Sequence, residues 1–335
     1  MAGKKKDSGL LAIKAINKFP NSSKQSIAAY LYTNHPTVYN SVDHARRIIR
    51  NYTSEKSRQS VESRVEHITN FTAINPYGLP QAKEKEDLMV DLPAHLNNIL
   101  WISDIHFPNH NVNALSQALK YGKDNKVNCI IIGGDLLDNE PFSRHDGTPP
   151  PSSTDVRDWF DMAENFLITL KEKFPECEIY FMEGNHDAWY KRFLISKCAI
   201  IFQDEYYTLQ SRLGLRDKKV TWIPETQVLM AGKLPLMHGH KVVKASVQPA
   251  KSLHNKILRS MLIGHCHQTM EFTVTDPLER KMTTCYSTGC LCDLAPGYDP
   301  LNKSHNLGFA RIIVSSEGNY KVENKRIDST TYEIY

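Results

Sequence analysis

The chain has 335 residues, 41% of them hydrophobic and 23% charged, and a formal net charge of +4 at pH 7. These proportions are those of a soluble globular protein, long enough for one large domain and a small appendage, and no apolar run approaches the roughly 18 residues of a membrane span. Seven cysteines, some inside apolar runs such as Val127 to Ile132, argue against a disulfide framework and for free thiols in a reducing compartment.

The start, Met1 to Asp7, is basic but lacks the apolar stretch and cleavage site of a leader, so the expectation is a cytoplasmic protein. Three short helices are predicted in the first fifty residues. Leu10, Ile13 and Ile16 lie on one face of the first, which stops at Phe19-Pro20. Ser22 to Gln25 reads as a capping box opening the second, with Ile27, Tyr30 and Leu31 inward and His35-Pro36 closing it. Ser41 caps the third, with Val42, Ala45, Ile49 and Tyr52 on one side and Arg46, Arg47 and Arg50 on the other.

Residues 1–66 carry twelve Lys and Arg against five Asp and Glu, a net +7 that leaves about −3 for the rest. A small basic three-helix domain of this kind is helix-turn-helix-like, and Arg46, Arg47 and Arg50 are its candidate contacts to DNA or RNA. A docking bundle with a solvated basic face is the alternative. Residues 67–97, polar and punctuated by Pro76, Gly78 and Pro80, read as a linker.

From Asn98 to the end strands and helices alternate, then strands predominate. Strands are predicted at Ile99–Ile102, Asn128–Ile132 and Glu178–Met182, with helices at Val112–Tyr121 and after a proline-rich loop that ends near Ser153. The second helix would be capped by Thr154 and bury Trp159, Ala163, Phe166, Leu167, Leu170 and Phe174. Short strands follow at Val220–Ile223, Leu234–Met237, Ser260–Ile263, Glu271–Thr275, Met282–Tyr286 and Ala310–Val314. The order fits an α/β (α+β) sandwich of two mixed sheets flanked by helices.

Five of these strand-like runs end in a block of Gly and metal-ligand residue types: Asp104-Ile105-His106, Gly134-Asp135, Gly184-Asn185-His186-Asp187, His238-Gly239 and Gly264-His265-Cys266-His267. Ligands at strand ends can be gathered at one sheet edge. Their mixed oxygen and nitrogen donors suit Mn²⁺, Fe or Zn²⁺. Cys290 and Cys292 have no second pair at zinc-ribbon spacing and read as ordinary thiols. His110, His145, His254 and His305 read as surface or loop histidines.

The five blocks in this order resemble those of the calcineurin-like metallophosphoesterases, over nearly all of residues 98–315. The layout is most similar to phosphoesterases of phages and mobile elements, which would place the chain in a host cytoplasm. The resemblance implies a four-layer α/β/β/α sandwich with two divalent metals, Mn²⁺ first and Fe, Zn²⁺ or Ni²⁺ as alternatives. It implies one metal on Asp104, His106, Asp135 and His267, and a second on Asp135, Asn185, His238 and His265, with a metal-bridging hydroxide as nucleophile. His186 would then be the general acid, oriented by Asp138.

His240, Arg144 and Arg192 are candidate substrate contacts. Protein phosphatases of this superfamily have Arg where this chain has Asn139, and Glu where it has Asp187. The expectation is therefore a phosphodiesterase, including a nuclease on DNA. A nucleotide or small-molecule phosphoesterase and a non-catalytic nucleic-acid-binding module are the alternatives.

Overall fold

In the computed structural model, which describes residues 3–20, 22–53, 88–143, 153–243, 246–294 and 304–335, the three N-terminal helices are α1 (Gly3–Lys18), α2 (Lys24–Asn34) and α3 (Val42–Thr53). Their inward faces differ from the pattern of large apolar residues in one respect. Helix α1 turns Ala12 and Ala15 into the core and leaves Leu10 and Ile13 exposed, at 58% and 41%. The small side chains allow α1 to approach Ile27 and Leu31 of α2 and Ala45 and Ile49 of α3, all buried in the same cluster. Ser23, one residue later than read, caps α2 by accepting from the Ser26 amide, and Ser41 Oγ accepts from the His44 amide at α3. Tyr39 is wholly buried, its hydroxyl donating to the Ser8 carbonyl at 2.5 Å. Residues 1–84 form one compact unit and residues 85–335 a second.

The second unit begins with β1 (Met89–Asp91), inside the stretch that reads as linker in the sequence; residues 54–87 lie outside those described. It continues through β2 (Asn98–Ile102), α4 (Val112–Asp124), β3 (Cys129–Ile132), α5 (Ser153–Lys173), β4 (Glu178–Met182), α6 (Asn185–Lys197), α7 (Ala199–Phe202) and α8 (Leu209–Arg212). Then come β5 (Val220–Ile223), β6 (Val228–Ala231), β7 (Leu234–Met237), α9 (Pro249–Ile257), β8 (Met261–Ile263), β9 (Met270–Thr275), β10 (Met282–Ser287), β11 (Leu307–Val314) and β12 (Tyr320–Ile327). Helix α5 already includes Ser153, so Thr154 lies inside its first turn and is not its cap.

One sheet has the order β12-β11-β2-β3-β4-β5 and the other β1-β6-β7-β8-β10-β9. Strands β2 to β5 are parallel, with β11 added antiparallel to β2. In the other sheet β7, β8 and β10 run parallel.

Alternation along β2 sorts the layers. Leu100 and Ile102 face a cluster with Leu115 and Ala118 of α4, Phe166 and Leu170 of α5 and Tyr190 of α6. Ile99 and Trp101 face the other way, onto Leu229, Leu236 and Leu262 of the second sheet. Val243, with Ala250 and Leu253 of α9, covers the outer face of that sheet through Met261 and Ile263. Helices, sheet, sheet and helix make the two mixed sheets flanked by helices that the strand order predicted, in the four-layer α/β/β/α form that the resemblance implied. Each fully buried Leu or Ile contributes about 1.5–3 kcal/mol, and β2 to β4 are buried on both faces because both are covered.

Candidate metal centre and active site

All five blocks leave their strands at one edge of this sandwich: Asp104 and His106 follow β2, Asp135 follows β3, Asn185 opens α6 after β4, His238 follows β7, and His265 and His267 follow β8. Asp104, His106, Asp135, His265 and His267 all adopt positive φ, between 52° and 63°. Such backbone costs of order 1 kcal/mol or more per residue and persists where the surroundings impose it. Here interlocking amides do so. The Asp104 amide donates to the Gly134 carbonyl, and those of Ile105 and His106 donate to the Asp135 carbonyl, each at 3.0 Å. Gly134 has φ +100°, and a Cβ there would sit 2.4 Å from His238 Nδ1; a Cβ on Gly184 would sit 2.1 Å from Asp135 Oδ1. Glycine precedes these ligands because no side chain fits between the blocks.

The ligand atoms converge. His238 Nε2 is 3.0 Å from Asp135 Oδ2 and 3.1 Å from Asn185 Oδ1, and His106 Nε2 lies 3.8 Å from Asp135 Oδ2. His267 Nε2 is 3.2 Å from Asp104 Oδ1 and 3.3 Å from His106 Nε2. His265 Nδ1 or Nε2 falls within 4.8 Å of ligand atoms of Asp135 and His238. The remote ring nitrogens are held from behind: His238 Nδ1 donates to the Gly133 carbonyl at 2.8 Å, and His106 Nδ1 is 3.2 Å from Asp138 Oδ1. With Nδ1 so engaged, each Nε2 faces inward toward the carboxylates and is the nitrogen placed to meet a metal, the arrangement of metal-ligating imidazoles.

The electrostatics agree. Burial opposes charge on His238, but Asp135 outweighs it and lifts the imidazole to about 9. Burial likewise disfavours the carboxylates, yet Asp135, facing His238, and Asp104, facing His267, are held well below the usual range. Burial, with His238 beside it, pushes His265 down to about 3, leaving it a neutral ligand. The pocket therefore demands positive charge between carboxylates and imidazoles, and this donor set fits a pair of divalent cations.

His186 lies beside this cluster, its ring 4.5 Å from that of His106 and 3.9 Å from Trp189. Its Nδ1 donates to the Asp138 backbone carbonyl and is 3.2 Å from Asp138 Oδ1. Asp138 thus reaches His186, but it divides its carboxylate: Oδ1 also meets His106, and Oδ2 accepts from Asn109 Nδ2 at 2.7 Å. Burial lowers the His186 basicity, and the charges of Asp135 and Asp138 more than restore it, so the net shift is upward. Asn139 braces His186 by donating to its carbonyl at 3.1 Å.

The candidate substrate contacts fare differently. Arg192 Nη2 and His240 Nε2 both lie 2.8 Å from Glu225 Oε2, and Lys241 Nζ is 3.3 Å from Oε1. They are gathered at the rim, with the His240 ring 5.5 Å from that of His238, but around a carboxylate. Burial raises the Glu225 carboxyl, and His240, Arg192 and Lys241 overcome it, bringing it down to about 2. Arg144 and His145 lie outside the described residues. Arg47 and Arg50 are exposed on α3, and Arg46 is half-buried.

Four other residues matter that the sequence singled out for no such role. Asp187 accepts from the amides of Asp135 at 2.8 Å, Gly184 at 3.0 Å and Leu137 at 3.2 Å, pinning the third block to the second. Its place in Gly184-Asn185-His186-Asp187 was a signal. Glu225 follows a strand end like the ligands, whereas Asn109 offered none. Cys292 Sγ lies 4.0 Å from His267 Nδ1 and within 4.8 Å of ligand atoms of His106 and His267, so it is not remote from the centre. All seven cysteines are free thiols, and no helix among the described residues is long and apolar enough to cross a membrane.

Residues 98–298 match the family model described as calcineurin-like phosphoesterase. Solved structures similar to the chain include Vps29 from Entamoeba histolytica, at 14% identity over 71% of this chain and 97% of that one with a TM-score of 0.37. A predicted phosphoesterase from Streptococcus pneumoniae follows at 13% identity, 71% and 92% coverage and TM-score 0.31. The phosphoesterase Yfce of E. coli aligns at 14% identity, 68% and 98% coverage and TM-score 0.30. No curated protein matches.

Proposed function

The chain belongs to the calcineurin-like phosphoesterase family and is a metal-dependent hydrolase of ester bonds, and within that family we propose that it is a two-metal phosphodiesterase acting on nucleic acid. The observation that carries this reading is the convergence of seven ligand residues from five strand ends, with imidazole Nε2 atoms turned toward Asp104 and Asp135. Asp104, His106, Asp135 and His267 would hold one metal and Asp135, Asn185, His238 and His265 the other, with Mn²⁺ the first candidate. When bound, such a pair supplies Lewis acidity to the phosphoryl oxygens and a hydroxide nucleophile at neutral pH.

The protein's own groups do the rest. His186, with Nδ1 committed to Asp138, presents its proton at Nε2 and delivers it to the leaving oxygen. Asp138 and Asn109 fix the ring of His106, and Asp187 fixes the backbone that carries Asp135. Asn139 stands where the protein phosphatases carry a phosphate-binding Arg, which favours another phosphoester. The exposed Arg47 and Arg50, in an N-terminal stretch of net charge +7, favour a polyanion.

The test is a screen of single- and double-stranded DNA, RNA, nucleotides and cyclic nucleotides with added Mn²⁺. The reading expects Mn²⁺-dependent cleavage of at least one polynucleotide. Turnover confined to mononucleotides or phosphoproteins would overturn it.

A further inference from the structure

We propose that the cavity beside His265 is a base subsite, which takes the nucleobase of the nucleotidyl group joined to the scissile phosphate, with His305 as its stacking platform and Gln268 reading its edge. This rests on the phosphodiesterase reading above and names the part of the substrate that the site recognises. The cavity measures about 550 Å³ and is lined by Val247, His265, Cys266, Gln268 and His305 together with Ser246 and Ser304. That is within the range of small-ligand sites, about 300–1,000 Å³. Because His265 belongs both to the cavity wall and to the ligand cluster, a group seated there adjoins the phosphoryl position.

The lining narrows the chemistry. Among the described residues the lining is made of Ser, Val, His, Cys and Gln side chains. It offers a planar ring, an amide and the exposed apolar edge of Val247, which is 83% exposed. These are the means by which proteins hold a base: stacking on its face and hydrogen bonds to its edge.

The two recognition groups are also built in. His305 lies with its ring 4.5 Å from that of His267, at 56°. The next residue, Asn306, clamps the backbone on either side of Gln268. Its amide donates to the His267 carbonyl at 2.8 Å, its Oδ1 accepts from the Thr269 amide at 2.8 Å, and its Nδ2 donates to Thr269 Oγ1 at 2.7 Å. One asparagine therefore fixes His305 and Gln268 relative to each other and to His267. Gln268 Nε2 makes a long hydrogen bond of 3.4 Å to the Ser246 carbonyl, weak enough to exchange for a base edge.

The test compares thymidine p-nitrophenyl phosphate with ethyl p-nitrophenyl phosphate, which share a leaving group and differ in the nucleoside. The full chain with Mn²⁺ should prefer the nucleotidyl ester in kcat/KM. His305→Ala should cut that preference roughly tenfold, mainly through KM, and His305→Phe should retain it. Gln268→Ala should change the ranking among thymidine, deoxyadenosine and deoxycytidine esters. Equal use of the two esters by the wild-type chain, or a preference untouched by His305→Ala, would overturn the subsite while leaving the phosphodiesterase reading in place. Calorimetry with thymidine monophosphate and deoxyribose 5-phosphate separates the other case. Tighter binding of the nucleotide, lost in His305→Ala, in a protein that hydrolyses neither ester would uphold the subsite and remove the phosphodiesterase reading.

Discussion

Asp135 faces two imidazoles through one oxygen, with His238 Nε2 at 3.0 Å and His106 Nε2 at 3.8 Å from Oδ2, while Oδ1 accepts the His186 amide at 2.9 Å. Asp135→Asn keeps the shape and removes the charge that two cations would share. Turnover of bis-p-nitrophenyl phosphate with Mn²⁺ should fall at least about a thousandfold, and calorimetry should register weaker Mn²⁺ binding; near-normal turnover would contradict the bridging role. His186 is tested by the leaving group. A general acid contributes about 10²- to 10⁴-fold, and most where the leaving oxygen is basic. His186→Ala should therefore slow cleavage of alkyl or nucleoside leaving groups far more than release of p-nitrophenolate. Equal losses on both would point to a binding role instead.

At the scale of elements, two carboxylates act as joints. Asp187, in the first turn of α6, accepts from two amides of the loop after β3, those of Asp135 and Leu137, and from the Gly184 amide at the start of its own helix, and Asp187→Asn turns an amino group toward some of those donors. About 1–3 kcal/mol of stability should be lost, read as a lower denaturant midpoint with the metal chelated. Glu225 joins the end of β5 to Arg192 of α6 and to His240 and Lys241 after β7. Its carboxyl, at about 2, lies below its ordinary 4.5, so its stabilisation is full above pH 4.5 and fades as pH falls toward 2. The stability gap between wild type and Glu225→Gln should narrow over that interval, and a gap constant with pH would exclude the ion-pair account. These joints explain what the sequence concealed. The ligands were legible because coordination restricts residue type and the strands β2, β3, β4, β7 and β8 end in them. Apart from the Gly184 amide, Asp187 and Glu225 work through backbone amides and partners 15 to 52 residues away, which only the fold brings together. Strand β12 was missed for another reason: at the sheet edge Tyr320 and Val322 alternate with Lys321 and Glu323 only briefly before Asn324, Lys325 and Arg326, so the charge that protects the edge hides the period.

For the molecule as a whole, the division of charge makes its own prediction. Residues 1–66 hold a net +7 and the remainder, which carries the candidate metal ligands, about −3; the nucleic-acid reading therefore expects attraction to a polyanion to depend on the first part and hydrolysis on the second. Arg47 and Arg50 are exposed on α3, away from the buried Ala45 and Ile49, and reversing both charges should leave that helix packed. In the Arg47→Glu, Arg50→Glu chain, cleavage of DNA at moderate salt should fall by tenfold or more, whereas turnover of bis-p-nitrophenyl phosphate, which has no polyanionic backbone for the basic helix to hold, should persist. Each lost phosphate contact lowers the slope of log affinity against log salt by about 1, so the double variant should bind DNA with a slope shallower by about 2. Both effects must appear together. A loss of DNA cleavage with an unchanged slope would mean that the arginines support the fold and not the nucleic acid, and an unchanged rate on DNA would assign the basic helices to a different partner.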